Sequence, residues 1–322
     1  MISPVKLAAV GAGEHRSGWP YCMGMLSPIF SDNAPYLFDD FCERTFMYDA
    51  KWNDESFHKK PWIGVLHHPP DMPDWYFPHM HLRMLHENER WLKSLPYLRM
   101  LLTMAPAITE WCKQQWPALP VATLRHPTGL PTMYWSPDRF LRNEPKKLVQ
   151  VGWFLRDSSA IHYIKAPDFL QKCHLDQNQQ WPKIAENMCI EQRRNRGERP
   201  YGDTRRIYRC DDIAYDLLLA TNVVFMHVLA AGANNAVVEC IMRNTPICIN
   251  RAEGPVFYLG KDYPLFFDTE EDICTVLTVD NIMAAHEYLK TMEKQWIYGE
   301  VFRESVVSVL SRQFPALQIP TY

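Results

Sequence analysis

At 322 residues the chain is too long for one ordinary core and suits two lobes of ~150 residues each. Apolar residues make up 47% and charged residues 22%, a globular balance that excludes disorder as the default. A formal net charge of -3 leaves no global positive field for a nucleic-acid backbone or an anionic membrane, so any anion site has to be local.

The nine cysteines (22, 42, 112, 173, 189, 210, 240, 248 and 274) are odd in number and scattered without a CxxC pair. That pattern fits reduced, buried thiols better than a disulfide frame or a zinc site. The apolar start of the chain meets Glu14, His15 and Arg16 too early for a secretory leader. The longest apolar stretch, 217–233, contains Asn222 and His227 and falls short of the ~20 clean residues a spanning helix needs. The expectation is a cytoplasmic protein with no transmembrane segment, peripheral lipid contact staying open.

In chain order, 5–10 (VKLAAV) is an apolar run closed by Gly11, Ala12 and Gly13, the pattern of a buried parallel strand entering a loop. Residues 62–66 (WIGVL) repeat it and stop at His67, His68, Pro69, Pro70 and Asp71. Two more such runs are 98–104 and 121–124, with a helix expected between them at 107–115. Strands alternating with helices imply right-handed crossovers and parallel sheets.

The stretch 136–147, with two prolines and six charges, is the expected linker. A second lobe then follows, with strands at 148–151, 223–226, 246–250 and 265–267, a helix over 234–243, and two helices within 282–310. The expected division is therefore 1–143, 144–300, and a C-terminal helix at 301–322 that packs back on the first domain.

Ligands of open parallel sheets bind beyond the carboxyl ends of the strands. Asn234 and Asn235 stand where the helix after strand 223–226 begins, a preferred cap position whose free amides and positive dipole end seat a diphosphate. Glu239 lies one turn beyond Asn235 and suits the hydroxyls of a ribose; the spacing fits a plain cap and a solvated glutamate equally well. Gly152 and Arg156 follow strand 148–151, with Lys165 nine residues further on. The glycine admits a phosphate to the backbone, and the arginine offers a bidentate fork or an ordinary ion pair.

These residues carry a resemblance. The stretch from Tyr215 and Asp216 through 234–241 (NNAVVECI), Asn244-Thr245-Pro246, Asn250-Arg251 and 258–265 (YLGKDYPL) resembles the donor half of the GT-B glycosyltransferases, in the family 1/4-like branch that holds the donor ribose with a glutamate. Glu239 matches that glutamate, and 148–156 resembles the strand and arginine loop that open the donor lobe, which implies Arg156 and Lys165 as diphosphate contacts. His126-Pro127-Thr128-Gly129 resembles the end of the acceptor lobe. The similarity covers roughly 98–270 and is weak before that. In many members another glutamate stands eight residues before the ribose glutamate; here position 231 is alanine, and Asn234 or Asn235 takes its place.

The resemblance implies an α/β fold of two Rossmann-like lobes whose parallel sheets face across a cleft. It also implies a transferase moving a sugar from a UDP- or GDP-linked nucleotide-sugar donor to a glycan or glycoconjugate acceptor, with no cofactor and no nucleic-acid partner. Within the first lobe, Gly13 and Glu14 of the loop 11–19, and His67, His68 and Asp71, are the candidates for donor contact or for the catalytic base; Asp74 competes. His79, His81 and His86 lack a fourth ligand at metal spacing, so no metal is expected.

Arginine at position 16 breaks the GxGxxG pattern begun by Gly11 and Gly13, and no Asp-x-Asp occurs anywhere, which argues for metal-free sugar transfer. The arginines at 193, 194, 196, 199, 205, 206 and 209 fit a solvated loop better than a polyanion site. An epimerase or hydrolase of sugar nucleotides, or a silent sugar-nucleotide or glycan-binding protein, are the alternatives.

Overall fold

The computed structural model describes residues 1–4, 18–48, 60–176, 179–208, 210–230 and 232–317. The chain divides into two compact units, Met1–Gly129 with Gln295–Tyr322, and Leu130–Lys294.

The first unit holds a five-stranded parallel sheet in sequential order: β1 (Ser3–Pro4), β2 (Leu37–Asp39), β3 (Trp62–Leu66), β4 (Leu98–Thr103) and β5 (Val121–Thr123). The strand expected at 5–10 lies outside the described residues. Helices α1 (Trp19–Leu26), α2 (Glu89–Ser94) and α3 (Pro106–Gln115) accompany the sheet. All five residues of β3 are buried, as a strand covered on both faces requires. Gly64 has no room for a side chain, since a Cβ there would meet Cys42 Sγ at 2.5 Å and the Trp62 ring at 2.7 Å. Trp62, Trp91, Phe46, Leu101 and Ile108 fill the core, the Trp62 and Trp91 rings meeting edge to face at 5.7 Å.

The second unit is a six-stranded parallel sheet of β6 (Lys147–Gln150), β7 (Gln171–Asp176), β8 (Arg205–Tyr208), β9 (Val223–Met226), β10 (Ile247–Asn250) and β11 (Phe266–Phe267). The order β11-β10-β9-β6-β7-β8 places the first strand of the unit against its fourth. This is the doubly wound arrangement, and the chain reverses its direction of progress between β6 and β9. Its helices are α4 (Pro137–Arg142), α5 (Ala160–Tyr163), α6 (Gln180–Asn195), α7 (Asp212–Thr221), α8 (Asn235–Arg243), α9 (Glu253–Leu259), α10 (Ile273–Val276) and α11 (Val279–Thr291). The chain then returns to the first unit in α12 (Gly299–Gln313), which packs on α1. A side chain at Gly299 would meet Tyr21 Oη at 2.6 Å, so glycine sets that close approach.

Two expectations are corrected. The stretch 136–147 is no linker: Ser136 caps α4, Phe140 is buried, and Trp135 Nε1 and Asn143 Nδ2 donate to Asn222 O and Asn222 Oδ1 at 2.9 and 2.7 Å. Those bonds stitch the segment into the second unit, so the boundary falls at 129/130. The arginine-rich stretch is no solvated loop either, because Arg193 is buried near the end of α6 and Arg205–Tyr208 pairs as the edge strand β8. Arg209 lies outside the described residues.

The second unit encloses a charge pair, with Arg243 Nη2 donating to Asp216 Oδ1 at 2.6 Å and Thr132 N to Asp216 Oδ2 at 3.2 Å. Asp216 is 0% exposed. Burial opposes the Arg243 charge, and the carboxylates of Glu239 and Asp216 more than offset it. Removing one partner strands the other charge, so Asp216→Ala is expected to destabilise the protein by about 3–5 kcal/mol. Urea denaturation measures this, and a loss under about 1 kcal/mol would show the pair to be dispensable.

Candidate functional site: the carboxyl ends of the second sheet

Because β6 and β9 are neighbours in the sheet, the loops that leave their carboxyl ends lie side by side. Backbone bonds lace them together: Asp157 N donates to His227 O at 2.8 Å, and Leu229 N to Leu155 O at 2.9 Å. Asn250, ending β10, clamps the second loop by accepting from Val228 N at 2.7 Å and donating to Val228 O at 3.0 Å. The β6 loop turns sharply through left-handed Gly152 (φ 70°) and Leu155 (φ 56°). That turn folds the Arg156 guanidinium back over Gly152, where any Cβ would collide with it.

Arg156 Nη2 there donates to Asn234 Oδ1 at 2.7 Å. The same oxygen accepts from Ala236 N at 3.1 Å and Val237 N at 3.4 Å, so Asn234 is the N-cap of α8. One carbonyl oxygen thus receives two helix amides and a cation, and the positive dipole end of α8 stands beside a guanidinium. Asn235 opens the helix, half-buried. One turn on, Glu239 is 5% exposed and accepts from Tyr215 Oη at 2.8 Å. Burial first, and the Glu239 charge second, push the Tyr215 hydroxyl well above its usual pKa and keep it a donor.

Lys165 is not brought to this cluster. Lys172, the second residue of β7, donates to Ile164 O at 3.0 Å, which places Lys165 by the amino end of that strand with its side chain exposed. Ala231 lies outside the described residues.

Sequence reasoning missed the network beside Arg156. Arg193, 2% exposed, meets Asp157 at 2.6 Å, Glu198 at 2.6 Å and Glu270 at 2.5 Å. Glu270 Oε1 also lies 2.6 Å from His227 Nδ1, at the end of β9. Burial alone would raise the Glu270 pKa, but the bonds from His227 and Arg193 prevail and hold it at about 2. The network ties the loops after β6, β9 and β11 to α6. Its local signal was only an isolated acid or arginine in each segment.

In the first unit, His67 and His68 follow β3. Glu43 Oε1 accepts from His67 N at 2.6 Å and His68 N at 2.8 Å. His68 is 1% exposed, donates Nδ1–H to Met80 O at 2.8 Å and accepts from Tyr48 Oη at Nε2. Both its nitrogens are engaged by these bonds. His67 donates Nε2–H to Asp40 O at 3.0 Å, between the rings of Trp19 and Phe41, both at 4.4 Å. Burial lowers its pKa to about 3, so the ring is neutral and Nδ1 is its acceptor. Asp71 is exposed, and Asp74 pairs with Arg83 at 2.5 Å. His81 is buried and donates to Tyr76 O at 3.0 Å, while His79 and His86 are exposed. Gly13 and Glu14 lie outside the described residues.

No family model matches the chain, and no curated protein matches it in sequence. Solved structures do match in fold. HepE of Anabaena, solved with UDP-glucose, superposes with a TM-score of 0.61 at 10% identity over 86% of this chain and 79% of that one. Sucrose-phosphate synthase of Thermosynechococcus elongatus gives 0.56 at 11% identity over 88% and 74%. A UDP-forming α,α-trehalose-phosphate synthase of Burkholderia vietnamiensis gives 0.55 at 12% identity over 89% and 74%. The chain has the α/β fold of the GT-B glycosyltransferases, with two parallel sheets.

Glu43 offers a titration test in the first unit. It is fully buried, its Oε2 has no hydrogen-bond partner among the described residues, and burial, against the two amide bonds, raises its pKa from 4.5 to about 7. The folded state therefore binds the proton more tightly than the unfolded one, and stability from this group is lost as pH rises between those values. Glu43→Gln keeps the amide bonds and mimics the protonated form. Relative to this variant, the wild type is expected to lose roughly 3 kcal/mol between pH 4.5 and 8. Urea midpoints across that range measure it, and parallel curves would refute the shift.

Proposed function

We propose that this chain is a glycosyltransferase that moves a sugar from a UDP- or GDP-linked donor to a hydroxyl of a glycan or glycoconjugate. The observation that carries the proposal is the convergence of Arg156 and the capped end of α8 on Asn234, at the reversal point of a doubly wound sheet. The second support is fold likeness to HepE, a protein solved with UDP-glucose.

In this reading the diphosphate rests at the positive amino end of α8, beside Asn235. Arg156, already oriented, supplies the cation that takes up charge as the sugar leaves, and no divalent metal is needed for that step. Glu239, its Oε2 held by Tyr215, accepts from the ribose hydroxyls. Gly152 leaves room for the Arg156 guanidinium to lie over its backbone. Lys165 has no part in the site, and within the first unit His67 accepts a hydrogen bond from a hydroxyl of the acceptor. A ring with a pKa near 3 is an acceptor and a poor proton carrier at neutral pH.

Calorimetry with UDP-glucose and GDP-mannose tests the assignment. A hydrogen bond to a charged group is worth about 1.5–3 kcal/mol, so Arg156→Ala is expected to weaken the accepted donor roughly 10- to 100-fold. Glu239→Ala is expected to weaken it through the nucleoside, so that the free nucleotide loses as much affinity as the sugar nucleotide. Unchanged affinity in folded Glu239→Ala removes the ribose role, and in folded Arg156→Ala the diphosphate role.

A further inference from the structure

Three ligating atoms converge elsewhere in the second unit, from three different elements. They are His162 Nε2 on α5, His174 Nδ1 on β7 and Glu186 Oε1 on α6. The two nitrogens are 3.3 Å apart, and they lie 3.5 and 3.7 Å from the carboxylate oxygen. Hydrogen bonding alone would be expected to draw at least one of these pairs to about 2.7–3.0 Å. Instead all three separations are near the edge of a tetrahedron around a zinc ion, about 3.4 Å for bonds of about 2.0–2.1 Å.

Further observations fit a cation. A cavity of about 10 Å³, about the size of one water, is lined by His174, Asp176 and Glu186 and suits a water as fourth ligand. Arg206, on the edge strand, donates Nη2 to Glu186 Oε1 at 2.5 Å and Nη1 to Glu186 Oε2 and Asp176 Oδ2 at 3.2 and 2.9 Å. Giving up the first bond frees the ligating oxygen, and the other two keep the carboxylate oriented from behind.

We propose that His162, His174 and Glu186 form a zinc site that fastens α5 and α6 to β7. The role proposed is structural, and the cavity beside the three ligands is also lined by Gly152 and Trp153 of the loop after β6.

The test uses the full chain stripped of metal by chelator and titrated with Zn²⁺ alone, then with Co²⁺ as a spectroscopic substitute. The expected result is one equivalent bound per chain, a raised melting temperature, and visible cobalt bands of a tetrahedral nitrogen and oxygen site without thiolate charge transfer. His174→Ala and the more exposed His162→Ala are each expected to weaken binding at least a hundred-fold while circular dichroism stays unchanged. Should His174→Ala fail to fold, His162→Ala decides alone. No stoichiometric binding by the wild type, wild-type affinity in folded His162→Ala, or a thiolate band in the cobalt spectrum would each overturn the proposal.

Discussion

The hydrogen bond from Arg156 to Asn234 is the contact on which the functional account rests. Neither residue is near the other in sequence, and the sheet order brings them together by setting β6 beside β9. Once there, Asn234 has to satisfy two helix amides and a guanidinium with one oxygen. The cap, the arginine rotamer and the turn at Gly152 consequently become one mechanical unit. A group held in this way loses little freedom when it meets an anion, and such preorganisation makes a cation effective at a leaving group.

Around that contact two buried arginines of the second unit are paired with carboxylates. Arg193 has three carboxylates and Arg243 has Asp216, so each cation is matched where water is excluded. The first unit treats burial differently. Its buried carboxyls Asp39 and Glu43 lack a full set of partners among the described residues and are pushed up to about 7, while His67, His68 and His126 are driven neutral. The second unit thus pairs its buried arginines with carboxylates, whereas burial disfavours the charged forms of these groups in the first.

Much of the fold was legible because buried parallel strands are continuous apolar runs: Trp62–Leu66, Val223–Met226 and Ile247–Asn250 stand almost where the sequence places them. β7 and β8 were not, because Lys172, His174, Asp176 and Arg206 make them look like loop. Their polarity is satisfied only by tertiary partners, Ile164 O for Lys172 and Glu186 for Arg206, which no local pattern announces. The α8 cap was visible as asparagine before an apolar helix, whereas its bond to Arg156 depends on strand adjacency. Glu43 follows a strand of three residues, too short to carry a periodic signal. Lys165 was placed by resemblance, and the short α5 carries the chain past the carboxyl ends before that residue is reached.

The most direct test is a crystal structure with UDP or GDP bound. The account predicts pyrophosphate density on the amino end of α8, with Arg156 in hydrogen-bonding distance of its oxygens and the ribose against Glu239. Pyrophosphate at another place on the second unit, or no nucleotide bound at saturating concentration, would contradict it.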